Sequence, residues 1–272
     1  MEWRNIILRI SVVVTTYNGK MHLEKQLLSL LQQERAPDEV LIFDDGSTDG
    51  TIELVQSFIR KNCLESWQFY VNAKRKGWKQ NFMEGLRKAA GDILFPCDQD
   101  DIWYPKKLAE MTAVMEQHPE IKLLACDYRV LYEPGALKAT VYKKTPAETQ
   151  GLITRYGFTK HFFMNPYPGC TYAVRRDFFD AVKELWFDGS PHDEFLWLMA
   201  AVQDGAWFYN RVLMDYVRYS DNASGVRYKD VALQKENLRY IHKQLCALQS
   251  FAAEHPDAVS VERCKMLAAA QI

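Results

Sequence analysis

Three carboxylates lie within four residues in the segment Asp98-Gln99-Asp100-Asp101. Their mutual repulsion disfavours a purely structural role, and a divalent cation would relieve it. Mg²⁺ or Mn²⁺ takes oxygen ligands and commonly uses one or two carboxylates together with the phosphates of a ligand. In an extended chain Asp98 and Asp100 point the same way, whereas Asp101 could cap the helix that begins near Pro105. A solvated acidic turn is the alternative without chemistry.

Two further polar clusters each follow an apolar run, at Thr15-Thr16-Tyr17-Asn18-Gly19 and at Asp44-Asp45-Gly46-Ser47-Thr48-Asp49-Gly50. Ser47 or Asp49 would serve as turn and capping residues by accepting backbone N–H bonds. Two adjacent acids exceed that need, so one of them could accept a hydrogen bond from a nucleobase N–H or a ribose hydroxyl. Tyr17 could stack on a flat base, and a core tyrosine beside a turn is the plainer interpretation.

The elements that must position these clusters alternate between strand and helix patterns. Short apolar runs predict strands at 11–14, 40–43, 67–71, 93–95 and 121–126. Apolar residues at helical spacing predict helices near 23–31, 49–59 and 81–90, and beyond Pro105. Such units build a parallel sheet covered by helices, and these sheets bind ligands beyond the carboxyl ends of their strands. We therefore expect all three clusters to meet at one edge.

The second half of the chain is less regular. The segment 133–150 predicts an irregular loop, and His192-Asp193-Glu194 opens a helix that continues to about Val202. From about Lys229 the pattern becomes a long helix whose apolar stripe must be covered. Packing on the main domain is the favoured expectation. A peripheral membrane contact or a homo-oligomer through residues 229–272 is the alternative.

Composition excludes several classes of protein. The 272 residues are 48% apolar, which excludes a disordered chain, and 34 basic against 35 acidic residues disfavour a nucleic-acid partner. No run approaches the roughly 20 apolar residues of a membrane-spanning helix, and the first residues do not resemble a secretory signal. Six scattered cysteines without metal-ligand spacing predict reduced thiols. A cytoplasmic location is therefore expected, with the inner face of the membrane as a further option.

Taken together and in this order, the polar clusters resemble the inverting family-2 glycosyltransferases, whose fold is called GT-A. The resemblance covers roughly residues 10–225 and rests on the segments 11–19, 43–51, 72, 77–82 and 98–103. It implies an α/β, Rossmann-like, mostly parallel central sheet that is flanked by helices.

The same resemblance implies how the chain is divided. A GT-A domain would occupy residues 1–228, with a donor-binding half of about 1–130 and an acceptor half of about 131–228. A C-terminal helical extension would occupy residues 229–272.

The resemblance also implies roles for single residues. The predicted nucleotide-sugar contacts are Thr15, Tyr17, Asp45, Lys79, Asp98 and Arg218. Asp98 and Asp100 would hold Mn²⁺ or Mg²⁺, with Asp100 as the more direct ligand. The pair His192-Asp193 resembles the catalytic-base motif of bacterial rhamnosyltransferase-like members, so Asp193 is the predicted general base. Capping of the helix by Asp193 is the structural alternative and is compatible with that role.

The implied activity is transfer of a sugar, such as rhamnose, from a nucleoside diphosphate donor, such as dTDP-rhamnose. The acceptor would be a hydroxyl group of a cell-surface glycan or a lipid-linked saccharide. Residues 133–150 or 218–228 would close over the donor. Family members often carry a histidine two places after Arg218, and the serine at 220 weakens a phosphate or metal contact there.

Two other functions are left open by the sequence. A nicotinamide dehydrogenase shares the strand–helix alternation, but no GxGxxG follows the first strand. A catalytically idle relative that only binds sugar nucleotides is the second option, and the presence of Asp193 argues against it.

Overall fold

The first half of the chain alternates strands and helices in the predicted order. A computed structural model describes residues 7–136, 149–157, 165–219 and 231–269, without the side chains of 231–238. The strands are β1 (Ile10–Thr16), β2 (Glu39–Asp44), β3 (Trp67–Val71) and β4 (Ile93–Cys97). The helices between them are α1 (Lys20–Leu31), α2 (Thr51–Lys61) and α3 (Trp78–Lys88). The apolar runs form strands because both faces of the sheet are covered.

The second half adds shorter and more varied elements. They are β5 (Ile102–Trp103), α4 (Lys107–Gln117), β6 (Leu123–Tyr132), β7 (Ile153–Arg155), β8 (Tyr172–Arg175), α5 (Arg176–Val182), α6 (His192–Val202), β9 (Ala206–Arg218), α7 (Val231–Glu254) and α8 (Val261–Ala269). The predicted strand near 121–126 extends to residue 132 because β9 pairs along its whole length. The two predicted loops that would close over the donor, 133–150 and 218–228, lie largely outside the described residues, at 137–148 and 220–228.

One sheet joins all the described strands, in the order β3-β2-β1-β4-β8-β6-β9-β5, with β7 paired to β9. Strand β1 runs parallel to β2 and β4, with Thr16 opposite Asp44 and Val14 opposite Cys97. Strand β8 is antiparallel to β4 and β6. Because β1, β2 and β4 are parallel, the three polar clusters that follow them leave the sheet at the same edge.

Alternate residues of β1 face opposite sides of the sheet, as the strand period requires. Val13 packs with Leu86 of α3 in one core, while Val12 and Val14 pack with Leu23 of α1 in the other. All are fully buried or nearly so. Each such side chain contributes roughly 1.5–3 kcal/mol through burial. The two cores hold α3 and α1 on opposite faces of the strands that carry the polar clusters.

The C-terminal helices share the core of the main domain. Leu245, Leu248 and Ala252 of α7 are buried together with Trp197 of α6. This part of the predicted apolar stripe is therefore covered inside the chain, so it no longer argues for a membrane or subunit contact. None of the described helices is both long and apolar enough to span a bilayer. The six cysteines all lie in the described residues and are free thiols.

Candidate functional site

The turn after β2 is built by Asp44, which the sequence left as a ligand candidate. Its Oδ1 accepts the N–H of Gly46 at 3.0 Å and of Ser47 at 2.8 Å. Its Oδ2 accepts the hydroxyl of Thr16 at 2.7 Å. The fully buried carboxylate is thus used in joining the ends of β1 and β2. Asp49, one of the predicted turn residues, accepts the N–H of Thr51 at 3.0 Å.

Asp45, the second acid of that cluster, organises the segment that leads into α3. Its Oδ1 accepts the N–H of Lys76 at 2.7 Å and the side-chain amide of Asn72 at 3.1 Å. Its Oδ2 accepts the N–H of Gly77 at 2.8 Å. The predicted base-pocket residue is therefore held in place by its own chain. This rigid setting would orient its remaining lone pairs.

Tyr17 and Asp45 meet at a common neighbour. The guanidinium of Arg75 lies over the Tyr17 ring, 3.9 Å from its centre. The Nε atom of Arg75 lies 3.9 Å from Asp45 Oδ2. Thr15, the third predicted residue of the nucleotide pocket, is buried at the end of β1. The tyrosine ring is 36% exposed and so presents a flat surface at this edge.

The acidic segment is attached to the same tyrosine through Gln99. The Oε1 atom of Gln99 accepts the N–H of Tyr17 at 2.9 Å, and its Nε2 donates to the Tyr17 carbonyl at 3.3 Å. A Cβ atom on Gly19 would lie only 2.2 Å from Gln99 Oε1, so a side chain at this position would displace the Gln99 amide. Two of the clusters that the sequence predicted to converge are therefore in direct contact.

The acidic segment crowds the buried carboxyl group of Asp101 beside those of Asp98 and Asp100, which are half-buried. Burial, then the charges of Asp100 and Asp193, raises the pKa of Asp98 to about 7. Burial also raises the pKa of Asp100, and burial followed by its acidic neighbours raises the pKa of Asp101 well above its usual range. Closely spaced carboxyl groups with raised pKa values are a setting in which a bound cation is strongly favoured.

Asp101 does not cap a helix as one interpretation predicted. Helix α4 begins later, after Lys106, and Asp101 Oδ1 instead accepts the N–H of Val217 at 3.3 Å. A carboxylate oxygen of Asp101, one of Asp98 and the thiol of Cys170 all lie within 4.8 Å of one another. Burial raises the pKa of Cys170 well above its usual range, so the thiol stays protonated and suits a hard cation poorly.

Lys107 supplies a buried positive charge beneath the acids. Its side chain is fully buried, its Nζ donates to the carbonyl of Cys170, and it lies 3.7 Å from the centre of the Trp103 ring. Its charge lowers the pKa values of Asp98 and Asp101, against the effect of their burial. This lysine offsets part of the repulsion that the sequence attributed to the acidic segment.

Asp100 faces a different set of partners. Tyr219 hydrogen-bonds to its carboxyl group, and His22 and Arg218 act electrostatically in the same direction, to lower the pKa that burial raises. The Tyr219 ring stacks on His22 with centres 4.3 Å apart. Arg218, at the end of β9, thus lies on the Asp100 side of the site. Residue 220, where the family's histidine would stand, is outside the described residues.

Asp193 lies in the first turn of α6, which begins at His192 after Pro191. It is therefore inside the helix and not at the N-cap. Its Oδ1 accepts the N–H of Glu194 at 3.0 Å, and its carboxyl also accepts the N–H of Gly169. Burial raises the pKa of Asp193. The charge of Asp193 in turn raises the pKa of Asp98, so the predicted base lies close enough to the predicted metal ligand to interact with it electrostatically.

Lys79 approaches Asp193 from α3. Its Nζ donates to the carbonyl of Gly189 at 2.6 Å, in the loop that precedes α6. Its positive charge lowers the pKa of Asp193, against the larger effect of burial. The structure thus brings the predicted nucleotide contact Lys79 beside the predicted base.

Helix α7 braces the start of α6 through a polar network that the sequence did not suggest. The hydroxyl of Tyr240 donates to Glu194 Oε2 at 2.7 Å. The buried amide of Gln244 donates to the Tyr240 hydroxyl at 2.6 Å and to Ser190 Oγ at 3.1 Å. The C-terminal extension therefore contacts the residue next to Asp193.

Sequence reasoning missed several neighbours of the site because they lie far from it along the chain. Arg75 lies between two of the quoted segments, residue 72 and residues 77–82. A positively charged residue so close in sequence to the predicted base pocket was a signal that could have identified it. Cys170 lay in the predicted acceptor half, where no role was predicted for it. Lys107 and Tyr240 carried no local signal, because their partners are set by helix packing.

Comparison with known proteins gives a consistent result. Residues 11–179 match the model of the family described as glycosyl transferase family 2. The chain is similar to the dTDP-rhamnosyl transferase RfbG of Shigella flexneri, at 24% identity over 78% of this chain and 73% of the relative. It also matches the poly(ribitol-phosphate) beta-N-acetylglucosaminyltransferase TarS of Staphylococcus aureus, at 30% identity over 56% of this chain. It spans only 26% of that relative and less than half of several others.

Two solved structures share the fold. S. aureus TarS 1-349 in complex with UDP-GlcNAc has a TM-score of 0.67 at 17% identity, over 95% of this chain and 78% of that chain. The mannosyltransferase PcManGT from Pyrobaculum calidifontis, in complex with GDP-Man and Mn²⁺, has a TM-score of 0.54 at 18% identity, over 96% and 79%. These similarities confirm the mostly parallel, helix-flanked GT-A fold that the sequence predicted.

Proposed function

Because the chain belongs to glycosyl transferase family 2, with residues 11–179 matched, we propose that it moves a sugar from a nucleoside diphosphate donor to a hydroxyl group, with inversion at the anomeric carbon. The observation that carries the proposal is the contact of the acidic segment with the end of β1, where Gln99 hydrogen-bonds to the N–H of Tyr17 at 2.9 Å and to its carbonyl at 3.3 Å. The charge of Asp193 acts on Asp98 in the same segment. Acids from two distant segments then act on one small volume at the ligand-binding edge of the sheet.

The proposed reaction is a direct displacement. The acceptor oxygen forms a bond to the anomeric carbon as the bond from that carbon to the diphosphate oxygen breaks, and the electron pair leaves with the nucleoside diphosphate. Asp193 accepts the proton of the attacking hydroxyl. Burial raises the pKa of Asp193, which makes its carboxylate a stronger base than an exposed aspartate.

The residues present fit a divalent cation. Asp98 and Asp100 offer carboxylate oxygens, which Mn²⁺ and Mg²⁺ prefer. Burial raises the pKa values of both acids, and at Asp98 the negative charges of Asp100 and Asp193 raise the pKa further. When bound, such a cation neutralises charge that develops on the leaving diphosphate. Arg218 and Lys79 bring further positive charge to the two sides of the acids.

The donor that we propose is a nucleotide sugar such as dTDP-rhamnose. Support comes from the similarity to RfbG, whose name describes a dTDP-rhamnosyl transferase. Thr15, Tyr17 and Asp45 would bind the nucleoside, with the Tyr17 ring as the stacking surface. The proposed acceptor is a glycan or a lipid-linked saccharide used in polysaccharide biosynthesis. The six free thiols support a reducing, cytoplasmic setting, for which the inner membrane face is the proposed place of action.

The test combines binding with turnover. Calorimetry with Mn²⁺ and either dTDP or UDP should detect binding that Asp100→Ala weakens at least about tenfold, or about 1.4 kcal/mol. Asp193→Asn should abolish sugar transfer and leave nucleotide affinity nearly unchanged, because asparagine cannot accept the proton.

The matched control is Asp177→Asn. Asp177 occupies the first turn of α5 and accepts the N–H of the following residue at 2.7 Å, as Asp193 does in α6, but it is exposed and away from the acids. Transfer by this variant should equal that of the wild type. Normal turnover by Asp193→Asn would remove the proposed base. Nucleotide binding without turnover by the wild type would favour the idle, binding-only relative.

A further inference from the structure

An exposed tryptophan lies beside the start of helix α6. The indole of Trp78 is 44% exposed and stands edge-on to the imidazole of His192, with ring centres 6.1 Å apart and planes at 81°. The ammonium of Lys79 lies 5.7 Å from the centre of the same indole. A flat apolar ring that is open to water at this place offers a surface on which the apolar face of a ligand can be buried.

The backbone around Trp78 links the two ends of the proposed site. The N–H of Gly77 donates to Asp45 Oδ2 at 2.8 Å, on the nucleoside side. Lys79 reaches the loop before α6, where its charge acts on Asp193. Trp78 therefore lies between a proposed nucleotide contact and the proposed base, which is where a saccharide ring lies during transfer if the proposed function holds.

His192 presents a second and independent feature. Its side chain is 3% exposed and stacks on Phe82, with ring centres 4.0 Å apart. Neither Nδ1 nor Nε2 finds a hydrogen-bond partner among the residues that the structure describes. Burial lowers the pKa of His192 to about 3, so the ring is neutral and carries one donor and one acceptor.

These unmatched nitrogens indicate the chemistry of the missing partner. Buried polar groups in folded proteins are nearly always hydrogen-bonded, so the imidazole is suited to a group that this part of the chain does not provide. A hydroxyl both donates and accepts, as a neutral imidazole does, whereas a phosphate oxygen accepts only and gains most from a positive charge. A sugar ring combines hydroxyl groups with an apolar face.

We propose that Trp78 and His192 form a monosaccharide subsite next to Asp193, in which the indole packs against a pyranose ring and the imidazole hydrogen-bonds to one of its hydroxyl groups. This inference rests on the proposed function and adds the part of the site that recognises the sugar. The ring is either the sugar that is transferred or the sugar that receives it, and both present the same chemistry.

The experiment compares the full chain with Trp78→Leu and His192→Phe. Calorimetry in Mn²⁺ measures dTDP against dTDP-rhamnose and UDP against UDP-GlcNAc. Saturation-transfer NMR then measures methyl α-L-rhamnopyranoside on the protein loaded with dTDP. Trp207→Leu is the matched control, because Trp207 lies at the start of β9, on the opposite edge of the sheet. Melting curves establish that each variant is folded.

A subsite for the transferred sugar predicts that both variants lose the affinity that the sugar adds to the nucleotide, by about tenfold, which equals about 1.4 kcal/mol. Their affinity for dTDP and UDP alone stays as in the wild type. A subsite for the acceptor predicts unchanged nucleotide-sugar affinity and loss of the glycoside signal. The Trp207→Leu control keeps both properties.

The subsite is overturned if both variants bind both kinds of probe as the wild type does. It is also overturned if the wild type binds nucleotides without any gain from the sugar and shows no glycoside signal. Failure of the wild type to bind dTDP and UDP is a different result, because it refutes the proposed function itself.

Discussion

His192 carries a buried neutral imidazole, and replacing it by phenylalanine should make the folded protein less sensitive to acid unfolding. Burial lowers the pKa of His192 to about 3, whereas a histidine in an unfolded chain titrates near 6.5. Between these values the unfolded state binds a proton that the folded state does not. The His192 contribution therefore lowers the free energy of unfolding progressively as the pH falls below about 6.5.

The size of this effect follows from proton linkage. A solution at about pH 5 lies about 1.5 pH units below the pKa of a histidine in the unfolded chain. Protonation of that histidine therefore stabilises the unfolded state by about 2 kcal/mol relative to about pH 8. The side chain is 3% exposed, so screening by solvent leaves this figure nearly intact. Phenylalanine keeps the stacking on Phe82 and has no proton to bind. The free energy of unfolding of His192→Phe, relative to that of the wild type, should therefore rise by about 2 kcal/mol between about pH 8 and about pH 5.

Urea unfolding of the wild type and of His192→Phe, at several pH values between about 5 and 8, measures this difference in the free energy of unfolding. His192→Gln provides a second neutral side chain with different packing. Its offset from the wild type at high pH will differ, but the change of that offset with pH should be the same. If the free-energy gaps for both variants stay constant within about 0.5 kcal/mol over the whole pH range, the neutral, buried state of the histidine is refuted.

Two further predictions concern the neighbourhood of the base. Gly169→Ala should cost about 1–3 kcal/mol of stability and reduce transfer, because its Cβ would lie 2.5 Å from His192 Nε2. Gly157→Ala is the control, because its Cβ would meet no atom of the described residues within 4 Å, and it should change neither the melting curve nor turnover. Tyr240→Phe removes a hydrogen bond to the carboxylate beside the base and should cost about 1.5 kcal/mol in urea unfolding while also lowering turnover. Tyr209→Phe removes a similar bond, at 3.0 Å, on the other edge of the sheet. It should cost stability without lowering turnover, and equal turnover losses in both tyrosine variants would contradict the bracing role of α7.

Local patterns were enough to predict most of the architecture. The β-branched and apolar runs at β1, β2 and β4 form strands because a sheet covered on both faces accepts apolar side chains in every position. Parallel pairing of these strands then follows from the helices between them. It brings their polar ends to one edge, so the convergence of the three clusters was predictable. The antiparallel insertion of β8 between β4 and β6 was not, because strand order depends on long-range packing.

The sequence by itself determined which residue types meet at the sheet edge, since motif and strand end are adjacent along the chain. Only the tertiary structure decided what each side chain does there. Asp44 and Asp45 are neighbours in sequence, yet the first completes a turn and the second holds the segment before α3. Such contacts depend on strand register and on how closely helices approach. A change of one residue in register turns a side chain to the other face of the sheet. No local pattern of residue types specifies the register or the distance between packed helices.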